Sequence, residues 1–134
     1  MSENKTYVAV VDDDASFSKA ICRLLRAAGF ETILYSSAEA FLLPTPLPHL
    51  ACLVLDIHLG GMSGLELQQH LRARGTATPI IFVTAHDEPD ARAQARDAGC
   101  AAYFRKPVRG ESLLEAIRKA VPTQAVGKSI ESNP

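Results

Sequence analysis

The sequence predicts a doubly wound α/β fold built on a parallel sheet, and two observations support this prediction. First, short apolar runs alternate with longer stretches of helical period, which is typical of buried strands joined by helices. Second, four of the runs stop at or just before polar residues: Tyr7–Val11 before Asp12 and Asp13, Cys52–Leu55 before Asp56, Ile80–Val83 before Thr84, and Ala101–Phe104 before Lys106. Because ligands bind outside the carboxyl ends of strands in an open parallel sheet, these residues are expected to meet at one edge.

The first half of the chain is predicted to supply strand one at about residues 6–11, helix one at 15–28, strand two at 31–35 and a short helix two at 38–43. Helix one presents apolar residues at spacings of three and four, and Gly29 ends it. Ser36 and Ser37 are good caps for helix two. Three prolines within residues 44–48 then predict a loop, because proline cannot continue regular structure.

The second half is predicted to supply strand three at about residues 51–56, helix three at 65–74, strand four at 80–83, helix four at 88–98, strand five at 101–104 and helix five at 111–121. A glycine-rich turn lies at residues 60–64, and Gly75, Gly99 and Pro122 end helices three, four and five. The predicted buried side of helix four is mostly alanine, so this helix is expected to be weakly anchored and easier to shift.

Five strands alternating with five helices predict right-handed crossovers and, at this size, a flavodoxin-like sheet with strand order 2-1-3-4-5. A chain of 134 residues fits one domain. Residues 1–5 are predicted to be a lead-in and residues 6–121 the domain. Residues 122–134 are polar and aperiodic, which predicts a disordered tail or a truncated linker.

Composition narrows the class of protein. Hydrophobic residues make up 47% of the chain and charged residues 22%, with a net charge of −1, so a basic nucleic-acid-binding face is not expected. The sequence has no apolar run of membrane-spanning length and no signal-peptide pattern. Its three cysteines form no CxxC pair and lie in apolar surroundings, which indicates free buried thiols in a reducing compartment. We therefore expect a cytoplasmic protein without membrane contact.

The carboxylates at two strand ends predict a metal site. Asp12 and Asp13 are adjacent, and Asp56 is expected beside them, so their mutual repulsion would raise at least one pKa unless a cation lies between them. Mg²⁺ fits best, because it takes few protein carboxylates and keeps several waters. Capping of helix one is an alternative role for one of these acids, and we assign it to Asp14.

Asp56 is also the candidate phosphoacceptor, a nucleophile that takes a phosphoryl group as an acyl phosphate. Such transfer mainly requires charge neutralisation, which the cation and Lys106 would supply. A Lys106-Pro107 bond, cis in particular, would fix the backbone and aim the amine. Thr84 offers a hydroxyl donor to a phosphoryl oxygen. Turn capping by Asp56, a surface charge at Lys106 and an ordinary strand threonine are the structural alternatives.

Two histidines are expected at the mouth of this site. His58 and His86 follow Asp56 and Thr84 by two positions each. A single histidine there would usually be solvated and idle. The pair suggests a modulating role in which the two rings tune the access of water to the acyl phosphate, with a pH dependence near neutrality.

These residues give the chain a family resemblance. It resembles the receiver domain of two-component response regulators in four segments: VVDDD (Val10–Asp14), LVLDIHLGGMSG (Leu53–Gly64), IIFVTA (Ile80–Ala85) and GCAAYFRKP (Gly99–Pro107). The resemblance covers about residues 6–121, and each motif falls at its expected strand end. The subtype looks similar to receivers often joined to a helix-turn-helix output domain.

The resemblance implies that a partner histidine kinase phosphorylates Asp56. It implies that Asp13 and Asp56 ligate Mg²⁺ by their side chains, His58 by its backbone carbonyl, and Asp12 directly or through water. It further implies that Lys106 binds the phosphoryl group and that Thr84 switches toward it. Tyr103 then matches the family's switch aromatic, with a half-buried strand aromatic as the structural alternative.

The chain departs from the family pattern at two positions. Gly60 stands where the family usually has proline, and Val108 follows Lys106-Pro107 where an aromatic residue is common. We therefore expect a more flexible loop after Asp56 and an altered partner-binding face. Neither position belongs to the phosphorylation chemistry.

The main hypothesis is a phosphorylation-controlled switch, with only self-catalysed phosphoryl transfer and hydrolysis rather than enzymatic turnover. Its signalling face would be helix four, strand five and helix five, and its partner a downstream protein or a second receiver. The chain would either act alone, as a phosphorelay or adaptor receiver, or be a fragment of a DNA-binding regulator. A small aspartyl-phosphate phosphatase is the rival class, but the second carboxylate of a D-x-D pair is missing, since Ile57 and His58 follow Asp56. A degenerate fold that only binds partners is a third alternative.

Overall fold

The structure, a computed structural model, describes residues 5–46 and 48–121, and this part of the chain contains five strands and five helices in alternation. In chain order they are β1 (Tyr7–Val11), α1 (Ala15–Ala27), β2 (Glu31–Tyr35), α2 (Ala38–Phe41), β3 (Leu50–Leu55), α3 (Gly64–Ala73), β4 (Ile80–Thr84), α4 (Pro89–Asp97), β5 (Ala102–Arg105) and α5 (Gly110–Ala120).

The five strands form one parallel sheet in the order β2-β1-β3-β4-β5. The predicted fold class and strand order are therefore confirmed. The register aligns Val11 with Leu55 and Thr84 with Arg105, so the polar residues that follow these strands emerge at the same edge. Because the central strands β1, β3 and β4 are almost wholly buried, they read as continuous apolar runs in the sequence.

Two apolar clusters cover the two faces of the sheet. Alternate strand residues point to opposite faces, so neighbours such as Val54 and Leu55 belong to different clusters. One cluster packs the sheet against α2, α3 and α4, and the other packs it against α1 and α5. The helices of the second face contribute Ile21, Leu25, Leu113 and Ile117, all buried. Because apolar side chains are buried on both faces of the sheet, the sheet is a rigid support for the residues at its edge.

The helix starts follow the capping signals of the sequence. The Asp14 side chain accepts a hydrogen bond from the backbone N–H of Phe17 at 3.1 Å, which confirms Asp14 as the cap of α1. Ser37 caps α2 through the N–H of Ala40. A capping box at the start of α3 joins Ser63 and Glu66. By contrast, α4 and α5 have no side-chain cap. The buried residues of α4 are both alanines, which agrees with the mostly alanine side that its sequence predicts.

Most differences from the predicted bounds are one residue at an element end. The predicted helix two is too long, because α2 ends at Phe41. The predicted strand three begins one residue late, and β3 ends at Leu55, which leaves Asp56 just beyond the strand. The predicted strand five is displaced by one residue, because pairing with β4 runs to Arg105. Of the predicted lead-in, only Lys5 is described, and residues 122–134 lie outside the described part.

None of the helices in the described part of the chain has the length and apolarity that a membrane crossing requires.

Candidate functional site

Three carboxylates meet at the carboxyl edge of the sheet. Asp12 and Asp13 follow β1, and Asp56 follows the neighbouring β3, held there by a hydrogen bond from its N–H to the carbonyl of Val11. One oxygen from each carboxylate lies within 4.8 Å of the others. Asp12 and Asp56 are buried, whereas Asp13 is exposed. The arrangement offers a hard cation three oxygen ligands with one open side toward solvent.

Asp12 has a partner for each of its carboxylate oxygens. Oδ1 accepts a hydrogen bond from the N–H of Asp14 at 2.9 Å, and Oδ2 accepts one from Nζ of Lys106 at 2.8 Å. Burial is the largest influence and raises the pKa of Asp12, and the charge of Asp56 acts in the same direction. Lys106 and the Asp14 amide oppose this rise. A cation at this position would therefore relieve an existing electrostatic cost.

Asp56 is placed between a loop amide and a lysine. Its Oδ1 accepts a hydrogen bond from the N–H of His58 at 3.3 Å, and its Oδ2 lies 3.6 Å from Nζ of Lys106. The residue is 6% exposed, so it can be reached only from the edge of the sheet. This position suits a nucleophile whose charge is balanced on one side and whose access is limited.

Lys106 is positioned through its backbone N–H and through its amine. Its N–H bonds the carbonyl of Thr84 at 2.8 Å, the Lys106-Pro107 peptide is cis, and Nζ lies 4.2 Å from the centroid of the Phe17 ring. Burial alone would lower the pKa of Lys106, but the hydrogen bond and charge of Asp12, followed by Asp56 and Asp14, raise it above its ordinary value. The amine therefore stays a cation, which is the form that can neutralise a phosphoryl group.

Phe17 is a contact that sequence reasoning missed. Its position on the apolar face of α1 predicts packing against the sheet, and no pattern in the sequence indicates that its ring also covers the amine of Lys106. An ammonium over an aromatic face gains electrostatic stabilisation. Phe17 thus contributes to the orientation of Lys106.

The Thr84 hydroxyl is engaged within its own loop. Thr84 is fully buried at the end of β4, where its Oγ1 accepts a hydrogen bond from the N–H of His86 at 3.2 Å and donates to the carbonyl of His86 at 3.4 Å. Any contact between Thr84 and a group on Asp56 therefore requires these bonds to the His86 backbone to change.

His58 and His86 stand side by side, as their equal spacing from the two strand ends suggests. Their rings lie 4.8 Å apart in an edge-to-face arrangement, and both residues are exposed. Nε2 of His58 also lies 3.8 Å from Oε1 of Glu88. The two rings thus bring together the loops that follow Asp56 and Thr84.

The loop between β3 and α3 is held from two sides. Oε2 of Glu39, on α2, accepts a hydrogen bond from the N–H of Met62 at 2.7 Å, and this contact lowers the pKa of Glu39. The N–H of Gly64 bonds the carbonyl of Ile57 at 2.8 Å. A Cβ at Gly64 would collide with the carbonyl oxygen of Asp56, so this glycine permits the close approach. The loop that lacks the usual proline is thus clamped by Glu39, a contact without a signal in the sequence.

Tyr103 lies apart from the carboxylates, on the face of the sheet covered by α4. It is half-buried and faces Phe82 of the neighbouring strand, with ring centroids 6.1 Å apart. Phe104 belongs to the cluster on the opposite face, as strand alternation predicts. The edge of the sheet therefore brings together Asp12, Asp13, Asp56 and Lys106. Thr84 is joined to Lys106 by a backbone hydrogen bond. Tyr103 lies away from this group, on the face of the sheet that α4 covers.

A five-stranded parallel sheet with an acidic cluster at its carboxyl edge is typical of one class of signalling domain, and comparison with known families identifies this class. The family model for the response regulator receiver domain matches residues 8–118. The chain belongs to the response regulator receiver domain family.

Relatives and solved structures support this membership. The chain is 36% identical over 121 residues to the response regulator protein TodT of Pseudomonas putida, covering 90% of this chain and 53% of TodT. It is 32% identical over 133 residues to the transcriptional regulatory protein FixJ of Bradyrhizobium diazoefficiens, covering 94% of this chain and 65% of FixJ. A crystal structure of a response regulator receiver protein from Pseudomonas putida superposes with a TM-score of 0.81 at 26% identity, covering 89% of this chain and 99% of that one. The chain thus spans about half to two thirds of the length of these two regulators.

Proposed function

We propose that this domain is a phosphorylation-controlled switch that accepts a phosphoryl group on Asp56. The observation that carries the proposal is the position of Lys106, whose Nζ lies 2.8 Å from Asp12 and 3.6 Å from Asp56 within a cluster of three carboxylates. A buried nucleophile, a fixed cation and a set of oxygen ligands are the components that phosphoryl transfer to a carboxylate requires.

The carboxylate cluster fits Mg²⁺. Its donors are oxygens, their number is small, and one side is open for waters and a phosphoryl oxygen. In this proposal the side chains of Asp12, Asp13 and Asp56, with the backbone carbonyl of His58, hold the ion. When bound, the ion would offset charge on the phosphoryl oxygens. Receiver domains typically bind Mg²⁺ in such an acidic pocket, which supports the assignment.

Asp56 acts as the nucleophile. The new bond joins one of its carboxylate oxygens to phosphorus, and the bond that breaks joins phosphorus to the leaving atom of the donor. With a phosphohistidine donor, the leaving atom is an imidazole nitrogen that departs with the bonding electron pair. Lys106 then balances the negative charge that arrives, for which its ammonium has to turn from Asp12 toward the phosphoryl group.

Thr84 and Tyr103 are proposed to report the phosphorylated state. The Thr84 hydroxyl would leave the His86 backbone and donate a hydrogen bond to a phosphoryl oxygen. Tyr103 and α4 would then rearrange, which changes the face formed by α4, β5 and α5. A downstream protein or a second receiver would bind this face, and a phosphorylation-dependent dimer is one form of that output.

The two exposed histidines are proposed to set the lifetime of the acyl phosphate. The His58 and His86 rings pack edge to face on the loops that follow Asp56 and Thr84, and from this position they would control the approach of the hydrolytic water. Replacing both by alanine should change the rate of phosphate loss without changing the extent of initial labelling. An unchanged lifetime would refute this role.

A histidine kinase partner and a cytoplasmic location are typical of the family, and we propose both for this chain. Phosphoryl transfer and hydrolysis would be self-catalysed, without turnover of a separate substrate. The rival function, a small phosphatase with an aspartyl-phosphate intermediate, lacks a second carboxylate two positions after Asp56, where His58 stands. Repeated hydrolysis of a phosphate ester by the purified protein would favour that rival.

The output is proposed to be transcriptional, with this chain as the receiver portion of a longer regulator. Its support is the similarity to the transcriptional regulatory protein FixJ and the fraction of TodT and FixJ that the chain spans. A stand-alone phosphorelay or adaptor receiver is the second candidate, because the domain by itself carries the whole acidic site. In either case this domain is not expected to contact nucleic acid or membrane directly.

The central experiment is labelling by a small phosphodonor, acetyl phosphate, in the presence of Mg²⁺. Intact-mass measurement should detect one added phosphoryl group in the native protein and none in Asp56→Asn, with the circular dichroism spectrum retained. Asp14→Asn is the matched control, because Asp14 is a nearby acid whose side chain caps α1. This variant should be labelled as the native protein is. Full labelling of Asp56→Asn would overturn the assignment.

A further inference from the structure

Helix α4 is attached to the domain by polar contacts more than by apolar ones. It buries only Ala91 and Ala95, whose methyl groups remove little apolar surface from water. From α3, Nε2 of Gln68 donates a hydrogen bond to the carbonyl of Ala95 at 3.1 Å, and Nε of Arg72 donates one to the carbonyl of Ala98 at 3.3 Å. The α3 side of α4 is therefore held by side-chain to backbone hydrogen bonds.

On its other side, α4 is attached through contacts among Arg92, Asp87 and Tyr103. Arg92, on α4, pairs with Asp87 of the loop before the helix, and its guanidinium lies over the ring of Tyr103 at 5.2 Å from the centroid. The Asp87 side chain is 18% exposed and that of Arg92 is 41% exposed. One arginine thus connects the β4–α4 loop, α4 and β5, which are the elements proposed to carry the signal. We name these three residues the Arg92 clasp.

The Arg92 clasp is incompletely hydrogen bonded. Oδ1 of Asp87, Nε of Arg92 and the hydroxyl of Tyr103 are each inaccessible to solvent and have no hydrogen-bond partner in the described part of the chain. Such groups are costly to leave unsatisfied. Because they are an acceptor, a donor and a hydroxyl on neighbouring residues, a small rearrangement could satisfy them. A cluster of this kind is suited to having two arrangements of similar free energy.

A short covalent and hydrogen-bonded path joins the clasp to the sheet edge. The Thr84 hydroxyl is bonded to both the N–H and the carbonyl of His86, and Asp87 is the next residue. When that hydroxyl leaves His86, the backbone that carries the Asp87 carboxylate loses its anchor. Displacement of Asp87 would in turn release Arg92 from the Tyr103 ring.

We propose that Arg92 is a positioning residue that couples the Thr84 loop to Tyr103, by pairing with Asp87 and stacking on the Tyr103 ring. This inference rests on the proposed function, and it specifies how the phosphorylation site regulates the α4 face. Arg92 touches neither the carboxylate cluster nor Lys106 among the contacts of the described residues. It should therefore affect the response of Tyr103 and leave the chemistry at Asp56 unchanged.

The test uses the full chain with ring-labelled tyrosine and beryllium fluoride plus Mg²⁺, which mimics the acyl phosphate. Arg92→Met keeps the length of the side chain but removes its charge and planar face. Arg96→Met is the matched control, one turn further along α4 and exposed. In the native protein and Arg96→Met, the mimic should shift the Tyr103 ring resonances. In Arg92→Met that shift should fall to less than about half, because the coupling contact is absent.

Amide hydrogen exchange gives a second readout that needs no phosphorylation. Without the mimic, exchange in α4 should be about fivefold faster in Arg92→Met than in Arg96→Met, since part of the attachment of the helix is lost. Asp87→Asn should show the same change, and it serves as the second variant if Arg92→Met does not fold. Native-like exchange in both clasp variants, or a native Tyr103 shift in Arg92→Met, would overturn the inference.

Labelling of Asp56 separates the two proposals. If the native protein is not labelled by acetyl phosphate, the proposed function fails, whereas the exchange experiment still tests the clasp. If Arg92→Met is labelled as fast as the native protein and its Tyr103 response is lost, the positioning role is supported. Equal labelling with an unchanged Tyr103 response refutes the clasp alone.

Discussion

Nζ of Lys106 is hydrogen bonded to Oδ2 of Asp12 at 2.8 Å, across 94 positions of sequence. The same amine lies 3.6 Å from the phosphoacceptor candidate Asp56. The Lys106 amine is thus hydrogen bonded to Asp12, whereas Asp56, the proposed nucleophile, lies farther from it. Because both partners are largely buried, loss of either one would leave the other as a buried charge without its partner, so the pair affects folding as well as the proposed chemistry.

The first prediction concerns the removal of this cation. Lys106→Met should lower the free energy of unfolding by about 2–3 kcal/mol, because the Asp12 carboxylate is left buried without its partner. Asp12→Asn in the same chain should recover part of the loss. Urea unfolding measures both values, with Lys119→Met as a control, since Lys119 is exposed. A native unfolding free energy for Lys106→Met would contradict the structural role of the pair.

The second prediction concerns two glycines of the loop after Asp56. Gly64→Ala should destabilise the fold by about 2 kcal/mol or more, because the added Cβ meets the backbone carbonyl of Asp56 and the chain must shift. Asp56 should also be labelled more slowly. Gly60→Ala is the control, since a Cβ at Gly60 meets no atom within 4 Å. Thermal unfolding and acetyl phosphate labelling of the two variants check the difference; equal behaviour would contradict the predicted clash.

The third prediction concerns the clamp on the same loop. Glu39→Gln weakens the hydrogen bond from the Met62 N–H, because a neutral amide oxygen is a poorer acceptor than a carboxylate. Amide exchange at Met62 should become faster, and Mg²⁺ should bind more weakly as the loop that carries His58 loosens. Glu115→Gln, far along α5 and exposed, should leave both unchanged. Native exchange at Met62 in Glu39→Gln would show that Glu39 does not hold this loop.

The fourth prediction concerns the Tyr103 hydroxyl. Burial raises the pKa of Tyr103, followed by the charge of the nearby Asp87. The Tyr103 hydroxyl makes no hydrogen bond of good geometry within the described chain. Tyr103→Phe should therefore leave the free energy of unfolding unchanged or raise it by up to about 1 kcal/mol. Tyr103→Ala, which also removes the packing against Phe82, should lower it instead. Chemical denaturation compares the two, and a large loss for Tyr103→Phe would indicate a hydrogen bond that the structure lacks.

The fifth prediction concerns alkaline pH. Burial raises the pKa of the Cys52 thiol from 9.0 to about 12. Between these values the unfolded chain loses a proton that the folded chain keeps, so the free energy of unfolding falls as pH rises above 9. This thiol alone lowers the free energy of unfolding by up to about 1.4 kcal/mol for each pH unit. Cys52→Ala should show a shallower decline between pH 8 and about 10 than the native protein, measured by urea unfolding. Parallel declines would refute the assignment to Cys52.

The arrangement of the sheet edge could be predicted because its determinants are local. Each central strand is an apolar run that ends where polar residues begin, and alternation of strands with helices restricts the strand order. Asp12, Asp56, Thr84 and Lys106 could therefore be placed together without a structure. Asp14 could be assigned to capping because a cap needs only the neighbouring turn.

Contacts between loops and helices could not be predicted, because they depend on chain paths and side-chain conformations. Glu39 meets Met62 across 23 positions, with no periodic signal to link them. Asp87 and Arg92 are five residues apart and straddle the start of α4, so the usual helical pairs at three and four positions do not include them. Phe104 packs against the apolar cluster on the α1 and α5 face but is only half-buried, because β5 is an edge strand.

The long separation between Asp12 and Lys106 in the sequence also has a consequence for folding during synthesis. During synthesis the carboxylates of β1 and β3 leave the ribosome well before the last strand does. Their counter-charge arrives only when β5 joins the edge of the sheet. In the proposed function, a nascent or partly folded chain would lack this counter-charge beside Asp56, so we expect efficient labelling only of molecules in which β5 has joined the sheet.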